Sequence, residues 1–153
     1  PYRHFTNRDD LLAELLTRCF EVFAAHLEAR PRSDHPGDDF FAMGEAYLSF
    51  AKAHPTRYRL MFSTPMPNPE KYPQMMARAR TAFGLLEQRL AGMPIVPTPV
   101  GTPISRKLDA LFVWSTVHGL AGILSSQITA GLGFTPHEHA AAVGQILARI
   151  GLG

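Results

Sequence analysis

From Ala110 to Gly131 the chain carries no Asp, Glu, Lys or Arg, and few folds can accommodate such a stretch. It is about the ~20 residues that a bilayer crossing needs. Yet it contains Ser115, Thr116, His118, Ser125, Ser126, Gln127 and Thr129, a heavy polar load for hydrocarbon, and few basic residues flank it. The pattern predicts a helix from Ile104 to about Ala130, buried on all sides within a soluble, cytoplasmic protein and not a membrane span. Charged residues make up 18% and apolar residues 46% of the 153-residue chain, against a usual ~25% charged. Some apolar surface is therefore expected to be covered by a partner. A chain of this length forms one sizeable domain, burying roughly 68–70% of the surface its unfolded form exposes. The net charge of +2 does not argue for nucleic-acid binding by itself. Cys19 is the single cysteine, so an internal disulfide is excluded and a reducing compartment is the simpler reading. No signal peptide is read ahead of the first helix.

Apolar residues recur at helical spacing elsewhere too. The first long helix is expected from Arg8 to Ala29, with Leu11, Leu12, Leu15, Leu16, Phe20, Phe23 and Leu27 as its stripe and Pro31 as its stop. Pro31 to Gly37 reads as a loop. The next helix is expected to start near Asp38 or Asp39 and to end near His54, because the residue before Pro55 avoids helical geometry. Pro55 then opens a short helix through Phe62. Pro65, Pro67 and Pro69 mark a second loop, and a long helix follows from Tyr72 or Pro73 to Leu90, with Gly92 as its terminator. Met93 to Pro103 holds four prolines and a glycine and is expected to be extended or mobile. Thr135-Pro136 starts a last helix, a capping residue followed by a first-turn proline. No strand alternation and no internal repeat is present, so the fold class is all-α.

Chemistry-bearing patterns are sparse. His137-Glu138-His139-Ala140-Ala141 lacks the second histidine of an HExxH zinc motif, which position 141 would have to supply. Histidines two residues apart on a helix point about 200° apart, and the bland reading, exposed first-turn histidines, is preferred. No metal site and no cofactor is expected. Gly131-Leu132-Gly133-Phe134 is not a dinucleotide fingerprint, since a third glycine and a preceding strand are missing. Cys19 has no base or orienting group implied near it and reads as a small buried residue. An enzyme is not expected.

Trp114 and His118 stand one helical turn apart and share a face. Beside them Ser115, Gly119, Gly122 and Ser126 form a lane of small residues, and Ala140, Gly144 and Ala148 form a second lane in the last helix, interleaved with Val143, Leu147 and Ile150. Helices with such lanes pack closely, often across a dimer axis. A homodimer is expected through Ser115, Gly119, Gly122, Ser126, Ala140, Val143, Gly144 and Leu147; packing within one subunit is the alternative.

The first residues, Pro1-Tyr2-Arg3-His4-Phe5-Thr6-Asn7, read as the end of one helix and a tight break. Arg8, Asp9 and Asp10 then open the next helix, the two acids suiting the positive end of its dipole. With the Trp114-Ser115-Thr116-Val117-His118-Gly119 cluster and the run His54-Pro55-Thr56-Arg57-Tyr58-Arg59-Leu60-Met61-Phe62, this order of motifs resembles the TetR family of bacterial transcriptional regulators. The likeness is to a subgroup whose C-terminal domain is marked by Trp, His and Gly, and it spans Tyr2 to Leu152. Pro1 departs from the commonest pattern, in which an apolar residue precedes the tyrosine. The resemblance implies an all-helical bundle whose last two long helices make a dimeric four-helix interface. It also implies an effector pocket in each subunit, and DNA-phosphate contacts by Tyr2, His4 and Arg8. Residues 1–7 would be the remnant of a helix-turn-helix head whose larger part stands upstream, and residues 8–153 the effector-binding and dimerisation domain.

The pocket is inferred from residue type. Phe40, Met43, Tyr47, Tyr58, Met61, Phe62, Met75, Met76, Phe83 and Trp114 supply aromatic and thioether surface, although any one of them could be ordinary core. His118 is either a hydrogen-bonded core histidine or a polar anchor. The expected partners are a second copy of the chain, a small hydrophobic or aromatic effector and operator DNA, and no membrane. The leading reading is a ligand-responsive transcriptional regulator acting as a repressor. Its rivals are a small helical ligand carrier or enzyme with an apolar pocket, and a structural adaptor pairing through its last two helices.

Overall fold

The structure, a computed structural model, describes residues 5–93 and 105–152. Seven helices are present among them: α1 (Arg8–Glu28), α2 (Pro36–Ala53), α3 (Pro55–Ser63), α4 (Pro73–Leu90), α5 (Arg106–Ser125), α6 (Ile128–Gly131) and α7 (Pro136–Leu152). No strand occurs among the described residues. The expected all-α class is what the chain adopts. Tyr2, His4 and most of the Met93 to Pro103 segment lie outside the described residues.

Local chemistry sets the helix ends. Asn7 caps α1, its side-chain oxygen accepting the Asp10 N–H at 2.9 Å. Thr135 and Glu138 form a reciprocal capping box at α7: Thr135 Oγ1 accepts the Glu138 N–H at 3.2 Å, and Glu138 Oε2 accepts the Thr135 N–H at 2.8 Å. α2 starts at Pro36, earlier than the expected Asp38 or Asp39. Proline costs nothing in a first turn whose N–H groups have no helical partner, so Pro36-Gly37 belongs to the helix and not to the loop.

α2 is the centre of the bundle, touching α1, α3, α4, α5 and α7, while α1 and α4 pack along their lengths. At the α1–α4 seam, Tyr72 donates a 2.8 Å hydrogen bond to Asp10, and Arg78 pairs with Glu21 at 2.9 Å. Phe50, Leu16, Met75 and Leu147 are the largest fully buried side chains. Where α2 crosses α7 the backbone needs a glycine, since a Cβ on Gly44 would stand 2.5 Å from Leu147 Cδ2.

The charge-free stretch departs from its expectation in two ways. It is not one helix to Ala130, because α5 stops at Ser125 and α6 restarts at Ile128. Ser125 and Ser126 turn their hydroxyls back onto the Gly122 and Ile123 carbonyls at 2.9 and 2.7 Å, which competes with the helix ladder at that point. Nor is it buried on all sides. α5 packs its inner face, Ala110, Val113, Val117, Leu120 and Ala121, into the bundle, but leaves Phe112 55% and Ile123 51% exposed. α5 is also the one helix among the described residues that is long and apolar enough to cross a membrane by length and composition alone.

Candidate functional site

A cavity of about 950 Å³ opens between α1, α2, α4 and α5, with α3 closing one end. Helical spacing builds its walls. On α2 it takes Phe40, Met43, Gly44 and Tyr47, one stripe at i, i+3, i+4 and i+7. α4 presents Met76, Ala79, Phe83 and Leu86 on the opposite side, α5 adds Leu111 and Trp114, and α3 adds Met61 and Phe62. Another wall is Phe20, Phe23 and Leu27 of α1, and Thr64 and Met66 just past α3 complete the rim. Rings meet edge-on across the space, Phe83 against Trp114 at 6.0 Å and Phe23 against Tyr47 at 5.4 Å, so the lining is almost wholly apolar. Charge enters with Arg80, Glu87 and Lys107, none of which forms an ion pair among the described residues.

Eight of the residues expected to line a pocket do so: Phe40, Met43, Tyr47, Met61, Phe62, Met76, Phe83 and Trp114. Met75 does not; the rotation of α4 turns it into the core, where it is fully buried. Tyr58 and His118 do not line the cavity either. They stand behind Tyr47 in a polar cluster. Trp114 Nε1–H donates to the Tyr47 hydroxyl at 3.2 Å, the Tyr58 hydroxyl lies 2.6 Å from His118 Nδ1, and the Tyr47 hydroxyl lies 3.0 Å from the same nitrogen and 3.2 Å from Tyr58. Burial pushes His118 below its ordinary pKa and pushes Tyr47 and Tyr58 up. All three are thereby held neutral, as a buried hydrogen-bonded cluster requires. Sequence reasoning missed Gly44 and the α1 wall. Phe20, Phe23 and Leu27 had been read as a plain apolar stripe, and nothing in α1 alone distinguishes a stripe facing a cavity from one facing solid core.

A second polar cluster, not foreseen from the sequence, ties the start of α2 to the end of α4. Asp39, in the first turn of α2, pairs with Arg89 near the end of α4 and with Arg32 at 3.0 Å, and it accepts the Ser33 N–H at 2.8 Å. That backbone hydrogen bond, with the two guanidinium groups, holds the Asp39 carboxyl below its usual range against the opposing effect of burial. Asp39 and Arg89 are both buried. No group of three or more His, Cys, Asp or Glu side chains suited to a metal occurs among the described residues.

Of the residues expected at a dimer contact, Ser115, Gly119 and Gly122 are exposed on one side of α5 and Ser126 just beyond its end. Ala140 is exposed, and Val143 and Gly144 are half-buried. Among the described residues, nothing beyond their own helix stands within 4 Å of where a Cβ on Gly119, Gly122 or Gly144 would be. Leu147 differs: it is 1% exposed and packs on Gly44 inside the subunit. The α7 helix turns it inward while Ala140 faces out. Arg8 is exposed in the first turn of α1. His137 is exposed as expected, but His139 is half-buried, with its ring 6.4 Å from that of Phe134.

Against known families, the model described as tetracyclin repressor-like, C-terminal domain, matches residues 40–149. A similar solved structure is that of a protein with unknown function from Rhodococcus sp. RHA1, with a TM-score of 0.70 and 24% identity. That match covers 99% of this chain and 77% of the other, and it shows a shared fold. No curated protein matches the chain.

Proposed function

Because the chain belongs to the tetracyclin repressor-like C-terminal domain family, we propose that it is the effector-binding and dimerisation domain of a ligand-responsive transcriptional regulator, acting as a repressor. The observation that carries this reading is the cavity of about 950 Å³ with its apolar lining. Small-molecule sites are typically concave, mostly apolar and roughly 300–1,000 Å³. The occupant is a small hydrophobic or aromatic effector, and the role is non-enzymatic.

The second half of the proposal is the dimer. Phe112, Ser115, Gly119 and Ile123 fall on one face of α5 at i, i+3, i+7 and i+11, all of them exposed. A second copy laid on this face and on the Ala140–Gly144 side of α7 would cover those apolar side chains. The glycines would let the helices approach closely, giving a four-helix interface. In a protein where a helix-turn-helix head stands before Arg8, the residues Tyr2, His4 and Arg8 would then reach operator phosphates. An effector that prefers one separation of the two heads would shift DNA affinity by its differential affinity for the two states, typically 1–3 kcal/mol.

The test is a titration of the head-bearing regulator with pseudo-palindromic duplexes and candidate effectors. The expected result is a dimer that selects a two-fold site and releases it roughly 5–150-fold more weakly bound, with the reciprocal weakening of effector by DNA. A protein that binds apolar compounds yet ignores palindromic DNA would give the domain to the ligand-carrier reading instead.

A further inference from the structure

With His118 Nδ1 as the accepting nitrogen, the Tyr47–Tyr58–His118 triangle has one more hydrogen-bond edge than it has protons to fill. The two hydroxyls bring one proton each, while three contacts are within range: Tyr58 to His118 Nδ1 at 2.6 Å, Tyr47 to the same nitrogen at 3.0 Å, and Tyr47 to Tyr58 at 3.2 Å. A neutral imidazole Nδ1 that accepts has a single lone pair. In that tautomer the shorter contact takes it, making Tyr58 the donor to His118. The Tyr47 oxygen meanwhile accepts Trp114 Nε1–H, which fixes where the ring oxygen sits but leaves its own proton unassigned. Within the cluster that proton has only the Tyr58 oxygen at 3.2 Å, beyond the usual 2.5–3.0 Å of an O–H···O bond. Tyr47 is the weakly committed donor.

Its position gives that proton a use. Among the buried residues lining the cavity, the others being Phe, Leu, Met, Val, Ala and Gly, Tyr47 alone carries a side-chain N–H or O–H; the other neutral hydroxyl of the lining, Thr64, is half-buried and lies just past the end of α3. The half-buried Trp114 has its N–H committed to Tyr47, and the basic groups Arg80 and Lys107 are exposed. We propose that the Tyr47 hydroxyl is the inner donor of the cavity, and that the site selects an uncharged apolar molecule bearing a carbonyl-type oxygen over the hydrocarbon of the same shape. Such an oxygen gives the Tyr47 proton a short acceptor at the expense of a long, weak one, while Tyr58 and His118 keep their bond. An apolar ligand without that oxygen fits the same walls and gains nothing from Tyr47. This inference rests on the cavity being the effector site and adds to it the chemistry of the effector.

Fluorenone and fluorene test the point, since they share a three-ring skeleton and differ in a carbonyl against a methylene. Both are titrated against Nile red bound to the intact chain, with Tyr47→Phe and Tyr58→Phe as variants and circular dichroism melts as the check on folding. The expected result is a preference for fluorenone of about 3- to 10-fold in the unaltered protein, the range of one neutral hydrogen bond. Tyr47→Phe should abolish the preference and leave fluorene affinity within about twofold. Tyr58→Phe should shrink it although Tyr47 is intact, because His118 Nδ1 is then free to take the Tyr47 proton at 3.0 Å. That second variant decides the matter if the first does not fold. Equal affinity for the two probes, or a preference untouched by Tyr58→Phe, overturns the proposal and leaves the apolar-effector reading standing. Failure of both probes to displace Nile red removes that reading as well.

Discussion

Replacing Arg89 by Met tests whether the buried pair at the α2–α4 corner has the importance its geometry implies. The substitution keeps the unbranched stem and deletes the guanidinium, leaving the Asp39 carboxylate without its buried partner; the two side chains are 7% and 6% exposed. Stripping one member from a buried ion pair costs about 3–5 kcal/mol in general, because a charge is left uncompensated. Here Asp39 retains the Ser33 N–H at 2.8 Å and Arg32 at 3.0 Å, and Arg32 is 64% exposed and screened by water. The expected loss is therefore below that range, about 2–3 kcal/mol, or roughly 5–10 °C in melting temperature for a domain of this size. Urea and thermal melts followed at 222 nm measure it. Asp39→Asn and Arg89→Met together should cost less than the sum of the two, since either one alone strands its partner. The pair also titrates in a defined direction. The Asp39 carboxyl lies below its ordinary 3.8, so its contribution is present above that pH and is lost as the pH falls through the folded-state value. The gap between the unaltered protein and Asp39→Asn should close in acid. A loss under about 0.5 kcal/mol at neutral pH, or strict additivity of the two variants, would refute the reasoning.

Three further outcomes are expected. Gly122→Leu should not lower the melting temperature of the separated subunit, because among the described residues nothing beyond its own helix stands within 4 Å of the new Cβ, while weakening self-association seen by light scattering by about 1–3 kcal/mol or more. Gly44→Val should do the reverse, costing about 1–3 kcal/mol of folding stability because Leu147 must give way at 2.5 Å; denaturant titration reads it. Burial holds His118 below its ordinary 6.5, so the unfolded chain takes the proton first. Its contribution is full above about pH 6.5 and falls as the pH drops toward the folded-state value, and His118→Asn should flatten the slope of melting temperature against pH in that window.

Most of the helices were legible in the sequence because those are written twice, once as an apolar stripe and once in their ends; the Pro36 start of α2 and the break between α5 and α6 were not. Pro55 and the Thr135-Pro136 pair announce starts that are where the structure has them, and α1 and α4 begin at Arg8 and Pro73, within the expected bounds. The site was legible only as a list of side-chain types. A stripe of Met and aromatic residues specifies a face and not what that face meets, so Met75 and Met76, adjacent in sequence, part company: one fills the core and the other lines the cavity. The Asp39–Arg89 pair was beyond reach, since its two members lie on different helices and neither has a local pattern that marks it.

The charge-free stretch shows why one physical argument there was half right. Low charge indicated cover on all sides, yet a helix rotates about 100° per residue, and α5 divides its sides between two purposes. Trp114, Val113 and Val117 face the cavity, while Phe112, Ser115, Gly119 and Ile123 face outward and are exposed among the described residues. Charged residues on that outer side would have given an ordinary amphipathic helix and a readable periodicity. Their absence is a cost in water that a second copy would remove, and it ties the two halves of the proposed function to one rigid element. A ligand pressing on Trp114 acts on the same helix that would carry the dimer contact. Its reach is bounded all the same: moving a 1:99 balance of head separations to 99:1 takes about 5.5 kcal/mol of differential affinity. A single hydrogen bond from Tyr47, at about 1 kcal/mol, can sharpen which ligand binds but cannot drive that shift. The larger share has to come from the apolar walls closing differently around the ligand in the two states.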